Sequence, residues 1–184
     1  MSYTYKDAIT DTMEEFGKKP KVVFIGQGLI NGDKVYGTME KVPMAPTTSK
    51  CIELPCAENL HMGVAIGLAL KGYRPIVIFQ RMDFMLLAAD AIINHVALMP
   101  KMSGGQFKLP IIIRCVVGSQ SKVFDVGPQH NKDFSELFMP YMAVNQFRRG
   151  MDIKNAYEQA YLEEEPTLMV EYKDCYGEEI KNLG

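Results

Sequence analysis

Apolar residues fall into short unbroken runs separated by longer stretches with helical spacing. Lys21–Ile25 (KVVFI), Pro75–Phe79 (PIVIF), Pro110–Val117 (PIIIRCVV) and Thr167–Tyr172 (TLMVEY) are short and rich in β-branched residues. Such runs predict strands buried on both faces. Cys51–Leu54, closed by Pro55, and Met142–Val144 predict two further short strands. Between them, residues 4–16, Glu58–Leu70, Asp83–Met99, Asp133–Phe138 and Asp152–Glu164 predict helices, with Gly72 ending the second and Pro100 stopping the third. The alternation predicts one α/β domain over residues 1–184, a mainly parallel sheet with helices on both faces. Ligands of such sheets bind beyond the carboxyl ends of the strands, which places the loops after residues 25, 54, 79 and 117 along one edge. Residues 26–50 form a loop too long to be idle, Met102–Leu109 is a glycine-containing loop, and the chain is irregular from Val117 through residue 131.

Composition narrows the function classes. Apolar residues make up 47% of the 184, charged residues 23%, and the net charge is −2. That balance carries no electrostatic footprint for nucleic acid or an anionic membrane, and no apolar run approaches the ~20 residues of a membrane span. Met1–Met13 is polar and mixed in charge, so no signal peptide is expected. The four cysteines form no CxxC pair and no Cys/His metal spacing, which predicts reduced thiols in a cytoplasmic protein and no metal site built from side chains.

Four motifs bear on chemistry. Gly26-Gln27-Gly28, with Gly32 beyond, follows a strand as a dinucleotide fingerprint would, but Asn31-Gly32-Asp33-Lys34 continues a loop where a helix should begin, so a Rossmann site is not expected. Glu58 opens a helix. It is either a first-turn carboxylate complementing the helix dipole, or a carboxyl buried behind the apolar stretch Cys51–Ala57, its pKa raised and suited to acid–base work. Gly63 and Gly67, interleaved with Ala65 and Ala69, permit close approach of another backbone, which suits a subunit interface or packing onto the sheet. His130, after Gly127-Pro128-Gln129, is either an acid–base histidine or a loop residue with a backbone partner. His61 and His95 lie within helices and read as structural or surface residues, and Ser103-Gly104-Gly105 reads as a helix stop.

Taken in order, PCAENLHMGVAIGLALKGYRPIV (55–77), MDFMLLAADAIINHVA (82–97), MSGGQFKLPIIIR (102–114), GPQH (127–130) and PTLMVEYKDCY (166–176) resemble the pyrimidine-binding domain of the transketolase superfamily. The resemblance is to the beta subunit of the thiamine-diphosphate-dependent, decarboxylating component of 2-oxo acid dehydrogenases, and it covers residues 20–176. It implies that Glu58 hydrogen-bonds a ring nitrogen of the cofactor's aminopyrimidine, favouring the imino tautomer that removes the thiazolium proton; the cofactor then acts as electron sink. It implies that Phe84 packs on the pyrimidine with Met82 beside it, and that His130 faces the substrate side. It also implies that Gly63 and Gly67 form a helix contact across subunits, and that backbone near Ile111 holds a potassium ion in some relatives.

The sequence departs from the family at Pro55-Cys56-Ala57, at Asn131-Lys132 after the histidine, and at the reduction of a glycine-rich stretch to Gly118, all on the substrate side. The family's diphosphate–magnesium motif is missing, since Gly32-Asp33-Lys34 lacks the second glycine, and the chain ends at Gly184, where a C-terminal domain would begin. The resemblance therefore implies the pyrimidine-binding subunit of a split enzyme that takes thiamine diphosphate and Mg²⁺ through a diphosphate-binding partner chain, in a heterotetramer. The enzyme would act on a small 2-oxo acid or ketose by decarboxylation or ketol/acyl transfer. A split transketolase-like carboligase and a non-catalytic binding domain are the alternatives.

Overall fold

Residues 2–43, 50–121, 129–148 and 152–180 are described by the structure, a computed structural model. Helix α1 (Tyr5–Lys18) begins at Thr4, whose hydroxyl accepts from the Asp7 amide while the Asp7 carboxylate accepts from the Thr4 amide, a capping box. The strands are β1 (Val22–Gly26), β2 (Cys51–Glu53), β3 (Arg74–Phe79), β4 (Ile112–Val117), β5 (Ala143–Phe147) and β6 (Thr167–Tyr172). They form one six-stranded, all-parallel sheet in the order β2-β1-β3-β4-β6-β5. The connections run opposite ways from β1 and β3, so the switch point of the sheet lies between these strands.

Strand alternation splits the core in two. Val77, Phe79, Ile113, Cys115, Leu168 and Val170 pack beneath helix α2 (Glu58–Leu70) and the helical segment from Met82 to Met102. Phe24, Ile76, Ile78, Ile112 and Met169 face α1 and helix α5 (Ile153–Leu162), which Asp152 caps. On that second face Arg114 and Glu171 form an ion pair with both side chains fully buried. Nε and Nη2 of Arg114 donate to the two carboxylate oxygens at 2.6 and 3.0 Å, Nη2 also donates to Thr38 Oγ1 at 2.6 Å, and the Tyr176 hydroxyl donates to Glu171 at 2.9 Å.

Four expectations change. The helix expected over Asp83–Met99 is broken into α3 (Met82–Met85), a 3-10 turn (Leu86–Ala88), a π-helical stretch (Ala91–Ala97) and α4 (Met99–Met102), with a 65° bend between its halves. Pro100 does not stop it; it sits in the first turn of α4, where its missing N–H leaves nothing unpaired. The helix expected over Asp133–Phe138 shrinks to a 3-10 turn at Ser135–Leu137, and β5 extends to Phe147, beyond the expected Val144. The loop after β1 is packed, with Leu29, Val35, Met39 and Val42 all buried.

That loop contains a left-handed run, Lys34, Val35, Tyr36 and Gly37 at φ 49°, 53°, 59° and 80°. Such a conformation costs L-residues ~1–2 kcal/mol each. Burial of Val35 offsets part of this, as does the Tyr36 ring, which lies under both Arg81 (4.9 Å) and Lys173 (3.7 Å). Among the described residues no single helix is long and apolar enough to cross a membrane.

Candidate functional site

The carboxyl ends of the strands carry the residues singled out by the sequence. Glu58 is the first residue of α2, which follows the Pro55–Ala57 turn after β2. His61, one turn on, is buried; its Nε2 lies 2.8 Å from the Pro55 carbonyl oxygen and its ring stacks on Phe79, so it fixes the turn that presents Glu58. Glu53 ties β2 to the loop after β1 by accepting from the Gly28, Leu29 and Ile30 amides. The described residues do not supply the expected enclosure of the Glu58 carboxyl: they cover it only partly and give it no hydrogen-bond or ion-pair partner.

Phe84, in α3 beyond β3, is 37% exposed, and its ring centroid lies 4.9 Å from that of His130. Met82 lies beneath, fully buried, its sulfur accepting from the Phe134 amide at 2.9 Å. Met82 therefore anchors the segment after His130 and presents no surface of its own. His130 adopts φ +62°, a conformation rare for a residue with a side chain. The buried Nδ1 of His130 has no partner among the described residues, and neither do Asp83 Oδ2 and Asn131 Oδ1. The structure thus joins Phe84 to His130 and sets Glu58 on the same edge, beyond a different strand; Gly127 and Pro128 lie outside the described residues.

Sequence reasoning missed the residues gathered at the ends of β4, β5 and β6. A cavity of about 480 Å³ at the ends of β4, β5 and β6 is lined by Val117, Gly118, Asp133, Arg148, Tyr172 and Asp174 among others. The Tyr172 hydroxyl donates to Asp133 Oδ2 at 2.6 Å and accepts from Arg148 Nη2 at 3.0 Å. Burial and the Asp133 bond push the Tyr172 hydroxyl well above its ordinary pKa. Burial raises Asp133, but the bonds from Ser135 and Tyr172 and the charge of Arg148 outweigh it and hold the carboxyl below its usual range. The available signal was position: Tyr172 and Asp174 stand where the last strand ends.

A family model described as the transketolase pyrimidine-binding domain matches residues 1–178. The chain belongs to this family. It is 28% identical over 179 residues to the pyruvate dehydrogenase E1 component subunit beta of Cyanidium caldarium, covering 96% of this chain and 54% of that one. It is 29% identical over 184 residues to the beta subunit of acetoin:2,6-dichlorophenolindophenol oxidoreductase of Cupriavidus necator, covering 94% and 54%. A solved split-gene transketolase, an inactive β4 tetramer, shares the fold at TM-score 0.63 and 18% identity over 94% of this chain and 52% of that one. The chain thus spans about half the length of the curated relatives it matches.

As a pyrimidine-binding domain, the chain has residues that suit the aminopyrimidine of thiamine diphosphate. Phe84 offers an exposed aromatic face, and neither the Glu58 carboxyl nor His130 Nδ1 has a partner among the described residues. The α2 surface is also open. A Cβ on Gly63 or Gly67 would meet nothing within 4 Å among the described residues, and Leu60 and Leu70 on the same stripe are 47% and 46% exposed, so the glycines face away from the sheet. Ile111 lies at the opposite, amino end of β4; its carbonyl already accepts from the Thr167 amide at 3.1 Å. No group of three or more His, Cys, Asp or Glu that could hold a metal occurs among the described residues.

Proposed function

We propose that this chain is the pyrimidine-binding subunit of a split thiamine-diphosphate enzyme that decarboxylates a 2-oxo acid or transfers a ketol or acyl unit, with a partner chain supplying the diphosphate site and Mg²⁺. The observation that carries the reading is the Phe84–His130 contact at 4.9 Å on the carboxyl edge of a pyrimidine-binding domain. Thiamine diphosphate, when bound, supplies the electron sink for such reactions. Glu58 holds a proton at its carboxyl oxygen and hydrogen-bonds a ring nitrogen of the aminopyrimidine. Its side chain is only partly covered by the described residues, and the partner chain completes its enclosure. Phe84 packs against the pyrimidine face, and Met82 supports that arrangement from below through Phe134. His130 moves a proton on the substrate side through an imidazole whose Nδ1 has no partner among the described residues.

The open stripe of α2 at Gly63 and Gly67 is the subunit contact in this reading, and the assembly is a heterotetramer. Isothermal titration of thiamine diphosphate with Mg²⁺ tests the proposal. Heat is expected only when the partner chain is present; tight binding by this chain alone, or none in the mixture, would overturn it.

A further inference from the structure

The segment that carries His130 is tied down on both sides by residues that the proposed chemistry does not use. On one flank, the Asp133 carboxylate accepts from the Tyr172 hydroxyl at 2.6 Å and from the Ser135 amide at 2.9 Å. Gln146 bridges the same turn by donating to Ser135 Oγ at 2.7 Å. On the other flank, Asp174 gathers the segment after β4, accepting from the Ser119 hydroxyl, the Ser121 hydroxyl (2.8 Å) and the amides of Gln120 (2.9 Å) and Ser121 (3.2 Å). Gln120, so fixed, donates from Nε2 to the Asn131 carbonyl at 3.2 Å. Between the two flanks, a Cβ on Gly118 would overlap the His130 carbonyl oxygen, so only glycine lets the loop seat against the end of β4.

We propose that Tyr172 and Asp174, two residues apart at the end of β6, are positioning residues for His130: Tyr172 acts through Asp133 and Asp174 through Gln120, and together they hold the imidazole against Phe84. A left-handed residue between strand ends is not self-supporting; it persists where its surroundings over-determine it. Here the surroundings are two carboxylates and one glycine seat. The inference rests on the proton-moving role given to His130, and its test separates the two.

Tyr172→Phe removes only the hydroxyl and keeps the ring that Arg148 covers at 4.4 Å. Asp174→Asn is the second variant, at an exposed residue. Each full chain is combined with its partner, thiamine diphosphate and Mg²⁺, with histidine labelled selectively and His130 assigned by difference from His130→Gln. Both variants are expected to lose the shift that the Phe84 ring imposes on the His130 signals. Turnover is expected to fall roughly tenfold to hundredfold, the size of effect that misplacing a reacting group by about an ångström produces, with cofactor affinity unchanged. His130 signals that stay in place would overturn the inference whatever the rate. Signals that move while turnover holds would leave the positioning intact and remove His130 from the chemistry.

Discussion

The imidazole of His130 packs against the ring of Phe84, with centroids 4.9 Å apart and planes tilted by 46°. Contacts of this kind contribute ~0.5–1.5 kcal/mol beyond area burial, so each ring partly orients the other. Phe84→Ala should therefore act twice. Cofactor affinity in the assembled enzyme is expected to fall about tenfold, since an aromatic face is lost, and the His130 signals should lose their ring-current shift. Calorimetry and NMR on the same sample check both. Unchanged affinity would place the cofactor elsewhere.

Much of this arrangement was legible in the chain before folding. The buried runs at Lys21–Ile25, Pro75–Phe79, Pro110–Val117 and Thr167–Tyr172 became β1, β3, β4 and β6, because strands covered on both faces need unbroken apolar sequence. The break after Met85 was not legible: Met82–Leu98 contains no Gly or Pro to signal where an α-helix would give way to 3-10 and π segments. Nor was the Asp133–Tyr172 bond, because the hydroxyl and carboxylate meet only when the ends of two distant segments converge. Glu58 was legible as a helix start, but the described residues cover it only partly, so the enclosure expected from the apolar stretch before it could not be read from the chain.

Glu58→Gln keeps size and hydrogen-bonding capacity while removing the proton-holding carboxyl. Turnover of the reconstituted enzyme is expected to fall by at least ~10²-fold, the low end of what a positioned acid–base group contributes. The partly covered side chain makes no bonds within the described chain, so thermal midpoint and assembly should be unaffected. Steady-state kinetics and light scattering settle both, and retained activity would refute the assignment.

Gly63 and Gly67 make opposite demands on chain and assembly. Helical glycine costs ~0.5–1 kcal/mol relative to alanine, and a Cβ at either position meets nothing within 4 Å. Gly63→Ala should thus stabilise the isolated chain by about that amount. Gly63→Leu should fold equally well but fail to assemble, appearing at protomer mass in light scattering. An unaltered oligomer in Gly63→Leu would show that this face stays open.

Acid should release the His130 segment. The Asp133 carboxyl titrates below its ordinary value of ~3.9, so it contributes stability that is complete above that value and is lost as pH falls through the folded pKa. The gap in urea midpoint between the natural chain and Asp133→Asn is expected to be constant from about pH 5 to 8 and to close below about pH 4. A gap that persisted in acid would mean that the carboxylate form is not what Tyr172 and Ser135 bind.

The Arg114–Glu171 pair lies between β4 and β6, whose carboxyl ends carry Gly118 and Tyr172. Arg114→Met should destabilise the chain by ~3–5 kcal/mol, because Glu171 would be left buried without its cation. Replacing both, as Arg114→Met with Glu171→Leu, should recover most of that loss, since an apolar pair of similar volume avoids the desolvation of two charges. The Tyr176 hydroxyl, which donates to Glu171 at 2.9 Å, and Thr38 would then lose a partner each, so recovery should stop short of complete. Urea denaturation of the three proteins measures the cycle. A double variant no more stable than Arg114→Met would show that the strands need the charge pair itself to keep their ends, and the seat of His130, in register.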